Sequence, residues 1–454
     1  MSTKAGAVIV VLLLSQLKLT TATDTRVKNK KGVLGVPCSN RSAWDHINIP
    51  DSVIQLAKQF KDTPIPSWSD EEYLMYYTSG DRNGQRMMWA RQDRLPYLIL
   101  AECVAYDGSF LEIIEADLLS LATQRSWALP SSDVGLTYFN GTQYFVELNS
   151  AAMAANFGLA IHLIGDMLNE TIKNVVIDAL ITRVFDPLNS TLQGDGIRMW
   201  WIKEDTNWNS VCWAGVMIAV FCALDSAADR SFFTSRAIEY SQGYLNSFQD
   251  DGFASEGTGY YNYGFTNYAL LRQVLYEGTD GSHDTYEHPK AGKAALFAKE
   301  FGMSRTSVAN FGDSHYDTVF RRDLVSVIDR SFESSIVNIP LFEIEDVEIK
   351  PRTALRGNRS TLLKVPNHKE TLNLPWYMLE LFQQDIPQVQ TVTTNGMKDL
   401  RRYYNESAVL VARPNALNDG LGLAATFKLG GNIGTHSHND IGIKLFLSII
   451  CISM

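Results

Sequence analysis

Between residues 68 and 330, apolar positions recur every three or four residues in segments of roughly 12–20 residues, a period that predicts successive amphipathic helices. Short loops rich in Gly, Asp, Ser and Pro separate the segments. Residues 93–105 (DRLPYLILAECVA) carry Asp93 and Pro96 near the start, as a helix N-terminus should. Helices are also predicted over 110–122, 151–168, 172–184, 211–224, 231–248 and 268–276. So many consecutive helices need partners on both sides, which means a bundle or a ring of hairpins. No fixed-period repeat is evident.

The texture changes after about residue 333. Segments 335–349 (SIVNIPLFEIEDVEI), 408–412 (AVLVA) and 421–429 (LGLAATFKL) mix β-branched residues, alternation and turn signals, and predict strands. A helical insert is expected at 374–382. The predicted organisation is a signal peptide over 1–23, an irregular lead-in over 24–66, a helical domain over 67–333 and an incomplete β domain over 334–442. An apolar tail over 443–454 (IKLFLSIICISM) reads as a departure from the parent fold.

Composition narrows the function. Hydrophobic residues make up 45% of 454 positions, enough for large cores in two or three domains. A net charge of −10 argues against nucleic acid as a partner. Lys4 followed by the apolar run 5–14 (AGAVIVVLLL) reads as a secretory signal, too short for a stable membrane span. Sequons at Asn40, Asn140, Asn169, Asn189, Asn358 and Asn405 support a secreted or secretory-lumen glycoprotein. Of the five cysteines none forms C-x-x-C, so no thiolate zinc site is indicated. One or two disulfides are expected, with Cys212 and Cys222 packed as small hydrophobes.

Three clusters carry candidate chemistry. Asn207-Trp208-Asn209 opens an apolar helix, where an amide either caps the helix or joins its N–H groups in holding a carboxylate. Residues 251–264 (DGFASEGTGYYNYG) form a glycine- and tyrosine-rich loop that either packs or serves a ligand. In residues 430–442 (GGNIGTHSHNDIG), His436 and His438 alternate on an extended chain, about 7 Å apart, with Asp440 in phase. An amide, a phenol and an imidazole suit β-elimination from a uronic acid. Such a reaction needs a stabilised carboxylate, a base for the C5 proton and an acid for the leaving O4. The sequence has no G-x-S-x-G, P-loop or H-E-x-x-H motif.

From residue 68 to Gly442, through RLPYLILAEC, TNWNSVCWAG, DGFASEGTGYYNYG, FGDS and GGNIGTHSHNDIG, the chain resembles the heparinase II/III family of polysaccharide lyases. The resemblance implies a mainly α fold, an (α/α) toroid of helical hairpins followed by a partial antiparallel β-sandwich, with the active site between them. It implies that Asn207, or Asn209 nearby, neutralises the uronate carboxyl group. Tyr260 would protonate the leaving oxygen, with Tyr261 and Tyr263 close enough in register to serve instead. Glu256 joins the substrate-binding set. His436 would act as base or charge stabiliser, and His438 as ligand of a structural zinc whose site is incomplete in this chain. The implied partner is an acidic, glycosaminoglycan-like polysaccharide. A chain with half a sandwich is expected to fold its helical part, bind zinc weakly and turn over slowly. Two other readings remain: a toroidal glycoside hydrolase using carboxylates among Glu204, Asp205, Asp251 and Glu256, and a non-catalytic secreted glycan-binding protein.

Overall fold

Asn207–Ala223 is apolar on every side, and a helix of that kind has to be buried on every side. In the computed structural model it is the centre of the molecule. The structure describes residues 31–302, 308–309, 311–314, 318–334, 372–382, 390–392, 401–412 and 425–430. Its helices are α1 (Arg41–Trp44), α2 (Asp51–Lys61), α3 (Asp70–Ser79), α4 (Asn83–Gln92), α5 (Leu95–Ala105), α6 (Leu111–Ala122), α7 (Leu148–Ile164) and α8 (Glu170–Leu180). They continue with α9 (Asp186–Gln193), α10 (Asn207–Ala223), α11 (Ala227–Tyr240), α12 (Gly243–Asn246), α13 (Thr258–Gly278), α14 (Ala291–Glu300), α15 (Arg322–Ser331) and α16 (Leu374–Phe382). The protein is therefore mainly helical, as its periodicity predicts.

Four helices lie side by side and run parallel. Gln92 just before α5 bonds Asn149 at the start of α7, while Tyr106 just after α5 bonds Asp166 just after α7. Ala151 and Gly158 of α7 meet Gly215 and Ala219 of α10. A side chain at Gly215 would put its Cβ 2.3 Å from the Ala151 carbonyl oxygen, so only glycine lets these backbones approach. Ser210 of α10 bonds the Gly264 carbonyl of α13, and Phe221 packs on Gly278. The N-termini of α5, α7, α10 and α13 thus share one end. A second layer covers them: α2 packs on α5, α6 on α5 and α8, and α11 on α10.

The opposite end of the four helices is closed. The Gly32 N–H bonds the Phe221 carbonyl, the Leu34 N–H bonds the Glu277 carboxylate and the Cys38 N–H bonds the Leu163 carbonyl. Phe382 of α16 packs there against Trp44, with ring centroids 5.2 Å apart. From residue 41 the lead-in is therefore not irregular but carries α1 and α2. Val53, Ala57 and Phe60 line one face of α2, and Asp51 and Lys61 complement its dipole at the proper ends. A disulfide between Cys38 and Cys103 ties this region to the end of α5 across 65 residues of sequence. Closing a loop of that length restrains the unfolded chain and is worth about 4 kcal/mol. Replacing both cysteines by Ser is expected to lower the free energy of unfolding by about that amount, read by urea denaturation; an unchanged midpoint would contradict it.

The change of texture near 333 is seen as β1 (Phe332–Ser334), paired in parallel with β2 (Gln390–Val392). The strands β3 (Arg401–Tyr404), β4 (Val409–Ala412) and β5 (Ala425–Lys428) form a small antiparallel sheet. Tyr404 docks this sheet on Phe253 at 5.1 Å, and Arg402 pairs with the buried Glu300 at 2.7 Å. Segment 335–349, the tail 443–454 and most of 430–442 lie outside the described residues, as does the expected signal segment. Among the described residues no helix is long and apolar enough to cross a membrane. Asn40, Asn140, Asn169 and Asn405 are exposed and Asn189 is half-buried; Asn358 lies outside the described residues.

Candidate functional site

With one end of the helix group closed, chemistry has to be sought where the four N-termini meet. Thr206 precedes α10 in extended conformation and its side chain makes no cap, while its carbonyl accepts from the Asn209 N–H at 3.1 Å. Asn207 is the first helical residue and does not cap. Its Nδ2 donates instead to both carboxylate oxygens of Glu256, each at 3.1 Å. The two oxygens of one carboxylate subtend a narrow angle at that nitrogen, whereas its two N–H bonds diverge widely. Both contacts therefore use one hydrogen, and the second remains available. Asn207 Oδ1, Thr206 Oγ1 and Thr258 Oγ1 are buried without a hydrogen-bond partner. Orphaned buried polar atoms are costly, and here they gather at the starts of two adjacent helices.

The second half of the tyrosine-rich segment is helix. Thr258 to Gly264 form the first turns of α13, where a loop was expected. The reason is packing against 311–314 (FGDS). Gly257 takes φ +88°, and a side chain there would meet the Phe311 carbonyl oxygen at 2.2 Å. Ser314 Oγ then accepts from the Gly259 N–H at 3.2 Å, satisfying a first-turn donor. This places Glu256 beside Asn207 and turns the three tyrosines in three directions. Tyr260 is half-buried, and burial, with Asp313 and Glu256 nearby, holds its phenol proton more tightly than usual; Arg82 opposes this. Tyr263 remains 42% accessible, and desolvation, with Cys212 and Glu147 nearby, raises its pKa. Tyr261 faces the core, 1% exposed, and donates to the Ala295 carbonyl at 3.1 Å.

Two predicted residues thus serve packing. Tyr261 is one. Asn209, fully buried, is the other: Nδ2 donates to the carbonyls of Trp201, Ile202 and Tyr240, and Oδ1 accepts from the Tyr244 N–H. No group of Asn209 is left for a substrate. Asp251 accepts from the Asn405 N–H at the docked sheet, and Glu204 sits at the surface opposite Arg198 at 3.6 Å. His436, His438 and Asp440 lie outside the described residues. Among the described residues no group of three His, Cys, Asp or Glu is placed to hold a metal ion.

No family model and no curated protein sequence matches this chain.

Sequence reading missed Glu147 and Asp313. Glu147 caps α7 in a capping box, accepting from the Asn149 and Ser150 N–H groups at 2.8 Å while Ser150 Oγ accepts from the Glu147 N–H at 2.7 Å. The local signal was Glu147-x-x-Ser150 before an apolar run. Burial pushes its carboxyl up from 4.5 to about 7, because desolvation outweighs the two N–H bonds. Between pH 4.5 and 7 the folded chain therefore binds more protons than the unfolded one, and stability falls as pH rises through that window. The expected loss is about 3 kcal/mol, complete above pH 7. Urea denaturation at pH 5 and 8 measures it, and Glu147→Gln should remove most of the difference. An equal slope in the variant would refute this assignment.

Proposed function

We propose that the chain is a secreted polysaccharide lyase of the heparinase II/III kind, its helical hairpins arranged as an (α/α) toroid, acting on a uronate polymer by β-elimination. The observation that carries this reading is the pairing of Asn207, at the start of α10, with Glu256, whose charge also acts on Tyr260 in the first turn of α13. As the C5 proton leaves, charge moves onto the uronate carboxyl group. The free N–H of Asn207 and the first-turn N–H groups of α10 are suited to stabilise it. Glu256 orients Asn207 by holding its other hydrogen. Tyr260 keeps its proton at neutral pH and delivers it to O4 as the bond to the next sugar breaks. His436 is the proposed base or charge stabiliser, and His438 a proposed ligand of structural zinc.

The test is product chemistry. Incubated with chondroitin, heparan sulfate, hyaluronan and alginate, the chain is expected to release products whose ultraviolet absorbance marks an unsaturated uronate. Saturated reducing ends without that absorbance would overturn elimination. Binding of the polymers with no product of either kind would leave the glycan-binding reading.

A further inference from the structure

A groove of about 450 Å³ lies between residues 65–68 and the end of α6. Arg91 of α4 lines it. Arg91 is 2% exposed, and every partner it has is a neutral oxygen. Its Nε donates to Gln124 Oε1 at 3.1 Å and its Nη2 to Ser120 Oγ at 2.8 Å and the Ser120 carbonyl at 3.2 Å, while its Nη1 donates to the Pro66 carbonyl. The nearby buried carboxylate, Asp117, is taken by Arg94 at 2.8 Å. Two buried guanidinium groups thus share one carboxylate. Hydrogen bonds to neutral oxygens orient a charge without cancelling it, so one positive charge stands in surplus behind the groove.

The rim adds a second cation and a ring. Arg125 is exposed, pairs with Asp70 and lies over the Phe139 ring at 3.8 Å. Trp68 is half-buried, and its indole N–H donates to Asp70 at 2.6 Å, which fixes the ring at the groove edge. Ser67 and Thr123 place hydroxyl-bearing side chains alongside. A fixed indole beside hydroxyls and guanidinium groups offers a sugar an apolar face to stack on and donors for its polar rim.

We propose that this groove is a second saccharide site, taking an oxyanion-bearing sugar whose sulfate or carboxylate supplies the counter-charge that Arg91 lacks. This assignment does not rest on the lyase reading, because none of its residues belongs to the Asn207–Tyr260 site. A polymer held at both places would stay on the protein between events at the first.

The test is calorimetric titration of the full chain, carrying Tyr260→Phe to stop turnover, with a chondroitin sulfate tetrasaccharide and separately with sodium sulfate. The tetrasaccharide is expected to bind the groove, and Arg125→Glu to weaken that phase by about tenfold or more. Thr123→Trp, which fills the groove from an exposed position and leaves the ion pairs alone, should abolish it. Tetrasaccharide binding unchanged by both variants would overturn the site. Sulfate binding as tightly as the tetrasaccharide would overturn its saccharide character and leave an ion site. Loss of this phase with unsaturated product still formed by the chain with Tyr260 intact would separate failure here from failure of the lyase reading.

Discussion

Tyr260→Phe is expected to lower kcat on a uronate polymer by about 10²–10⁴-fold, the range that a positioned general acid contributes. The ring stays, so the packing of the first turn of α13 is kept and KM should change little. The melting temperature should hold, because Tyr260 is only half-buried and its ring is retained. Tyr261→Phe is the contrasting control. It removes one buried hydrogen bond, to the Ala295 carbonyl, at a cost of about 1 kcal/mol of stability, and should spare kcat. Because Asp313, Glu256 and burial all hold the Tyr260 proton, the alkaline limb of the wild-type profile should lie above the ordinary tyrosine range. Steady-state kinetics with ultraviolet detection decides the matter. Retention of wild-type kcat by Tyr260→Phe, with loss in Tyr263→Phe, would move the role to Tyr263.

Arg94→Ala carries the largest expected effect on stability, a loss of about 3–5 kcal/mol, as for other buried pairs broken from one side. Arg94 is 1% exposed and Asp117 fully buried. The same guanidinium bonds the carbonyls of Phe60, Thr63 and Pro64, so it holds the end of α2 against α5 and α6 as well. Even with Arg94 present, burial raises Asp117 to about 6, and one of its oxygens has no partner. Without Arg94 the carboxyl pKa rises further. Its folded value then stands well above its unfolded one, so the deficit should be largest above neutral pH and shrink as pH falls. Urea denaturation at pH 5 and 8 measures both parts. Asp117→Asn in the Arg94→Ala background should recover part of the loss; a deficit under about 1 kcal/mol at pH 8 would contradict the account.

Much of the fold was legible because helix formation leaves a local trace. The segment 374–382 coincides with α16, and the segment 110–122 with α6 to within one residue. Both have the apolar character that such packed helices require. The lead-in was misread because α1 and the residues before it are held by contacts far away in sequence, with Leu163, Phe221 and Glu277. The tyrosine-rich segment looked like a loop because its glycines are poor helix formers. One of them, Gly257, is needed for the close approach of 311–314, which the local window does not contain.

The candidate site divides along the same line. The sequence singled out Asn207 and Asn209 at a helix start, and Glu256, Tyr260 and Tyr261 in a glycine-rich segment read as a loop, with the roles of the tyrosines implied by the resemblance. Only the tertiary structure separated them. Asn209 meets three carbonyls and an N–H and is spent, whereas Asn207 meets a carboxylate from 49 positions away and keeps a hydrogen. Glu147 was locally a helix cap, and became a titrating group near neutral pH only when the packed helices removed water from it. What the sequence determined by itself was where helices form and which faces they bury, since period and propensity are properties of neighbours along the chain. Which polar groups remain unspent, and at what pKa, was decided by neighbours across space, since desolvation and hydrogen-bond satisfaction exist only once the chain has closed around them.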